Sequence, residues 1–180
     1  MLCGWCGTNK SDGCRLCPRC ENLEQAFFHE SGHVLMHVVQ EIPCHGIYFE
    51  KHEGDGRLCT PAPPKPPEER SNRDYLVLAA GVAAEKLIYG IKHESQGIGA
   101  DRQEFEPPNA PSFEKTVAEA YEILSSREMT LRRLVSELEA KARAVGFNLF
   151  DLSDRGMDGS DRRYGELLNK EELEAAVRQS

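Results

Sequence analysis

Residues Phe28 to Leu35 read Phe-His-Glu-Ser-Gly-His-Val-Leu, and within them His29-Glu30-Ser31-Gly32-His33 forms an HExxH motif. The flanks decide what the motif sits on. Leu23, Phe27, Val34 and Val38 recur at helical spacing, with Phe28 and Leu35 alongside and no proline between them, so the pattern predicts one helix from Glu21 to Gln40, ended by Pro43. On a helix, residues four apart lie one turn apart on the same face, so both imidazoles can reach a single Zn²⁺ at ~2.0–2.1 Å. Glu30 lies between them and can reach a water on the same ion, which makes it the candidate general base. The bland alternative is a helix with surface histidines, and the apolar flanks argue against it. His37 continues the row, but it stands ~12 Å from His29 along the axis, too far to share the ion, and reads as a packed or supporting histidine. The extended pattern HExxHxxGxxH is excluded, because Val34-Leu35-Met36-His37 follows the second ligand.

Working outward, the 180 residues allow one ordinary domain plus a small appendage. Hydrophobic residues make up 39% and charged residues 29%, apolar enough for a packed core, and no run of ~20 apolar residues suggests a membrane span. Met1 to Cys6 shows neither a basic nor an apolar leader segment, so the expected location is cytoplasmic. The formal net charge of −8 makes electrostatic wrapping of nucleic acid a poor fit.

After the motif helix, Gly46 to Glu50 and Arg57 to Thr60 flank Gly54-Asp55-Gly56, a strand–turn–strand pattern. Pro61 to Pro67 holds five prolines in seven positions and reads as an exposed extended loop. Arg73 to Tyr89 predicts a second helix; its many small residues suggest close packing on another helix, and Gly90 stops it. Gly97 to Asp101 reads as a glycine-containing turn. A single long helix is expected from Phe113 into the 140s, capped by Ser112. Asp151 to Arg163 reads as polar loop and Lys170 to Arg178 as a final helix.

A hydrolytic zinc site needs a third protein ligand and an open position. Spacing leaves His45, His52, Glu85, Glu94 and Asp101 as candidates.

Phe28 to Leu35 (FHESGHVL) resembles the HEAGH segment of the FtsH family of AAA zinc metalloproteases. Leu78 to Gly90 (LAAGVAAEKLIYG) resembles that family's LAGRAAEELIFG helix, and Gly97 to Asp101 resembles its TTGASND turn. Ile42 to Phe49 takes the place of the family's edge strand, and the C-terminal helices, Ala118 to Leu138 and then Leu167-Leu168 with Glu171-Glu172-Leu173, resemble the end of its peptidase domain. The resemblance covers residues 21–180, strongly at two motifs and loosely elsewhere. It implies a zincin-like helical peptidase domain with a small β-hairpin, mainly α in class (α+β). It also implies that Asp101 is the third zinc ligand, ahead of Glu85 and Glu94. Here the stretch from Gly90 to Asp101 is slightly longer than in the family, and Ala100 replaces its Asn. Glu85 reads better as a buried carboxylate that orients a ligand histidine. The chain carries no GxxxxGK[ST] phosphate loop. The implied activity is therefore ATP-independent hydrolysis of peptide bonds in flexible or unfolded polypeptide. The partners expected are the polypeptide itself and an unfoldase or further copies of the chain, with no membrane and no nucleic acid. The strand at Gly46 to Lys51 could hold substrate by adding it as a further strand.

Cys3-x-x-Cys6 and Cys17-x-x-Cys20 form two CxxC knuckles, with Cys14 completing CxxCxxC. Each knuckle places two thiolates on one tight turn, the signature of a closed structural zinc site, here a knuckle module over residues 1–20. Cys3, Cys6, Cys17 and Cys20 are the expected ligands, with Cys14 as a substitute. Iron–sulfur ligation is the alternative metal reading. Two zinc ions per chain are thus expected, one catalytic and one structural. Cys44 and Cys59 read as small buried residues. The competing function is a zinc-binding adaptor on the same scaffold, which would have no need of Glu30.

Overall fold

In a computed structural model of the chain, residues 18–44, 46–52, 55–59, 65–95, 98–106, 110–144 and 164–178 are described. Among them the fold is mainly helical. Helix α1 runs Pro18–Val39, α2 Asn72–Tyr89, α3 Ile98–Gln103, α4 Phe113–Ser125, α5 Glu128–Ala144 and α6 Lys170–Arg178. Strands β1 (Gly46–His52), β2 (Asp55–Cys59) and β3 (Tyr164–Asn169) make one antiparallel sheet in the order β2-β1-β3. Among the described residues no helix is long and apolar enough to cross a membrane. Cys3, Cys6, Cys14 and Cys17 lie outside the described residues. Cys20 falls in the first turn of α1, so the expected boundary after residue 20 lies inside a helix that begins with Pro18 at its first position.

Helix α1 ends before Pro43. Glu41 adopts φ 57°, and the amides of Glu41 and Ile42 turn back to the carbonyls of Val38 and His37. This is the usual left-handed helix stop, here without a glycine.

The α1–α2 crossing is the centre of the core. A Cβ on Gly32 would stand 2.4 Å from the Ala80 carbonyl oxygen and 2.7 Å from the Ala84 Cβ. Only a glycine lets the two backbones approach this closely. Helix α2 is buried over nearly its whole length, from Tyr75 to Glu85, which explains its continuous apolar sequence. Phe113, Val117, Ala120 and Leu124 of α4 and Leu131, Leu134, Val135 and Leu138 of α5 complete the packing, and Leu173 and Ala176 close it from α6.

Four expectations need correction. The long helix from Phe113 is two helices, broken at Ser126-Arg127. The hydroxyls of Ser125 and Ser126 donate to the carbonyls of Tyr121 and Ile123, and Arg127 N–H bonds Leu124 O at 2.8 Å. Leu124 and Leu131 stay in phase across the break, so apolar periodicity does not register it. Of the expected Gly97–Asp101 turn, Gly97 lies outside the described residues and Ile98 to Asp101 instead begin the short helix α3, with Asp101 in its first turn. Leu167-Leu168, expected among the C-terminal helices, lie instead in strand β3, whose partner β1 is far upstream in sequence. It pairs Gly46 with Asn169 and Glu50 with Tyr164. Strand β1 also pairs with β2, from Tyr48–Cys59 to His52–Asp55. Strand β1 is therefore the middle strand, with Tyr48 to Glu50 paired on both sides, so among the described residues this stretch has no free edge to offer a substrate strand.

Candidate metal centre

Helix α1 carries His29 and His33 on the face turned toward α2, and the close crossing at Gly32 brings both rings against the α2 backbone. Each ring is oriented through its Nδ1. His29 Nδ1 lies 2.7 Å from Glu85 Oε1, and His33 Nδ1 lies 2.7 Å from the Val77 carbonyl oxygen. A carbonyl and a carboxylate only accept, so each Nδ1 donates and each Nε2 faces inward, where it can take a proton or a metal ion. The two Nε2 atoms are 3.1 Å apart. Asp101 Oδ2, from α3, stands 3.3 Å from His29 Nε2 and 3.8 Å from His33 Nε2. Tetrahedral ligands at ~2.0–2.1 Å from one ion are about 3.3–3.4 Å from each other, so the triangle has the right size.

The two Nε2 atoms face each other and Asp101, and no other partner is found for the carboxylate oxygen. Asp101 Oδ2 is buried with no hydrogen-bond partner. Three electron-rich atoms facing one point repel one another unless a proton or a metal cation lies between them. Gly81 keeps that point open, since a Cβ there would be 2.5 Å from both Nε2 atoms. These observations fit a bound divalent ion, with His29, His33 and Asp101 as the residues that would hold it.

The charge balance agrees. Burial alone lowers the His29 pKa, but the Asp101 and Glu85 carboxylates outweigh it and raise the value to about 10. Burial likewise pushes Asp101 up, and the charge of His33 and the contact with His29 bring it below its ordinary value. The surroundings favour positive charge at this point.

Glu30 offers a carboxylate oxygen within 4.8 Å of ligand nitrogens of both histidines, close enough to act on a molecule held beside them. Glu85 is 2% exposed and accepts from three sides. Besides His29, Ser95 Oγ donates to Oε1 at 2.5 Å, and His93 Nε2 lies 2.9 Å from Oε2. Burial raises its pKa, and the contacts with His29 and Ser95, the His29 charge and the His93 contact reverse that, so it is held below the usual carboxylate range. It faces the back of His29 rather than the point where the two Nε2 atoms and Asp101 Oδ2 converge. Glu94 is exposed, and His37 is buried one helix turn beyond His33. His45 and the side chain of His52 lie outside the described residues, as does the side chain of Cys20.

Sequence reading missed Val77, Gly81, His93 and Ser95. Val77 contributes only a main-chain oxygen, which no residue pattern reveals. His93 and Ser95 flank Glu94, a weighed candidate, and polar residues eight and ten positions after a buried glutamate are a signal that could have been used. The chain matches no protein-family model, and neither a curated protein nor a solved structure matches it.

Proposed function

We propose that this chain is an ATP-independent zinc metallopeptidase, with an FtsH-like peptidase architecture, that hydrolyses peptide bonds in flexible or unfolded polypeptide. One observation carries the reading: His29 Nε2, His33 Nε2 and Asp101 Oδ2 converge within 3.1–3.8 Å, while both Nδ1 atoms are occupied behind. Two imidazoles and one carboxylate suit Zn²⁺ and leave a fourth position for a reactant. The ion would supply Lewis acidity, lowering the pKa of a water toward ~7 and polarising a carbonyl.

The protein's own residues would do the rest. Glu85 and Val77 hold the imidazoles in the tautomer that presents Nε2. Glu30 takes a proton from the attacking water as the new C–O bond forms, then passes it to the amide nitrogen, so the C–N bond breaks in a second step and the proton count balances. An adaptor would use the ligands but gain nothing from Glu30.

The test is Glu30→Gln in the full chain, assayed on casein-type and peptide-library substrates with and without chelator. Cleavage should fall by at least ~10³-fold while metal content stays unchanged. Full cleavage by that variant, or chelator-resistant cleavage by the wild type, would end the proposal.

A further inference from the structure

Asp101 is the only candidate ligand that does not come from a long packed helix. Helix α3 has six residues, too few to be stable on its own. Gly99, Arg102 and Gln103 are exposed, so of the α3 residues whose side chains are described only Asp101 turns inward. Upstream, Ser95 and His93 are anchored on Glu85, and the exposed Arg102 pairs with Glu114 at 2.6 Å; the more buried anchor lies in the chain that follows.

That chain is held by Arg70, at the end of the segment leading into α2. Arg70 Nη1 donates to the Glu104 carbonyl oxygen at 3.0 Å and Nη2 to Glu104 Oε2 at 2.5 Å. Arg70 Nε donates to the Lys65 carbonyl oxygen at 3.1 Å. The guanidinium is thus engaged on both sides, and the Arg70 side chain is only 11% exposed. Glu104 N–H in turn donates to the carbonyl oxygen of Asp101 itself at 3.2 Å. Next to it Phe105 sits between Tyr75 and Phe113, with ring centroids 5.0 Å from each. The aromatic wedge sets how far α3 stands from α2 and α4. It is apolar and carries little directional information, whereas the planar fork on Glu104 fixes orientation.

We infer that Arg70 is a positioning residue for the metal centre, holding Asp101 toward His29 and His33 through Glu104. This rests on the reading of those three residues as metal ligands, and the experiment separates the two. Apparent Zn²⁺ and Co²⁺ affinity of the full chain is measured by chelator competition, and binding that survives in His33→Ala is subtracted so that any cysteine site cancels. Arg70→Met should weaken the His33-dependent binding about tenfold or more. Arg70→Lys should recover only part of it, since an ammonium cannot make the two-pronged contact. In an Asp101→Asn background Arg70→Met should change affinity by less than about twofold, the mark of a residue acting through Asp101. Should Arg70→Met fail to fold, Glu104→Ala serves instead. That side chain is 45% exposed, and its loss should weaken binding in the same direction but less, with thermal unfolding little changed. Arg70→Met affinity equal to wild type, with His33-dependent binding intact, overturns this inference alone. The same is true if the Arg70→Met loss persists in full without Asp101. Wild type and His33→Ala binding metal identically overturns the metal centre, and this inference with it.

Discussion

The two halves of the centre are built by different means. His29 and His33 stand on a 22-residue helix wedged against α2, where Gly32 and Gly81 admit backbone and rings at van der Waals limits. Asp101 stands on a six-residue helix held by Arg70, by backbone turns and by one aromatic ring. The first half is rigid because interiors close-packed around it leave no alternative arrangement. The second is held by a few directional contacts near the surface. A site made this way has its nitrogen pair fixed in advance and its carboxylate adjustable, so damage to the packed half should be larger and less graded than damage to the tethered half.

The severest challenge to that contrast is Gly81→Ala. The added methyl would stand 2.5 Å from both Nε2 atoms. Those atoms are ends of side chains, but they belong to rings held at Nδ1 by Glu85 and Val77, so they cannot simply swing away. His33-dependent metal binding should fall by more than about 100-fold, or about 2.8 kcal/mol. Competition with a chelator reads this directly, and near-normal affinity would mean the imidazole pair is far more compliant than its packing suggests.

Glu85→Gln probes the same half from behind. A glutamine keeps the shape but brings an NH₂ group among three donors, Ser95, His29 and His93, where the carboxylate only accepts. It also removes the negative charge behind the His29 ring. About a tenfold loss of metal affinity is expected. Unchanged affinity would show that Val77 and the packing alone orient the rings, which would shift the weight of the comparison from hydrogen bonds to sterics.

Legibility in the sequence follows the same division. The histidine pair depends on i, i+4 geometry, which is local, and the glycine and alanine content of α2 announced a close helix crossing. What selects Asp101 over Glu85 and Glu94 is not local. Glu85 lies on α2 facing the rear of His29, Glu94 is exposed in the loop, and only the path through α3 brings Asp101 across. Resemblance pointed to it, whereas spacing left five candidates open. The helix break at Ser126 and strand β3 escaped for related reasons. The break preserves the apolar phase, and β3 needs a partner more than a hundred residues away to have any meaning. Strand β1 could be read as a strand, yet its place in the middle of the sheet, which removes it as a docking edge, is a property of topology that no stretch of residues carries.

The gentlest change falls on the tethered side. Asp74 accepts from Ser71 N–H at 2.8 Å, from Ser71 Oγ at 2.7 Å and from Lys65 Nζ at 2.7 Å, closing the start of α2 next to Arg70. Partial burial raises its pKa, but Lys65 and Ser71 outweigh that and hold it below its ordinary value. A carboxylate whose pKa is lower folded than unfolded adds stability above its unfolded pKa, and that stability is lost as pH falls through the folded value. Asp74→Asn should therefore cost about 1 kcal/mol at neutral pH, the usual weight of a helix-capping contact. The gap between variant and wild type should start to narrow near the ordinary Asp value of about 3.9 and close only as pH falls through the lower folded value. Denaturant unfolding at several pH values measures this. Because Arg70 grips Glu104 independently of Asp74, metal affinity should shift less than about twofold. A larger shift would place the Lys65–Asp74 contact in the same mechanical path as Arg70 and extend the tether of the third ligand back to the start of α2.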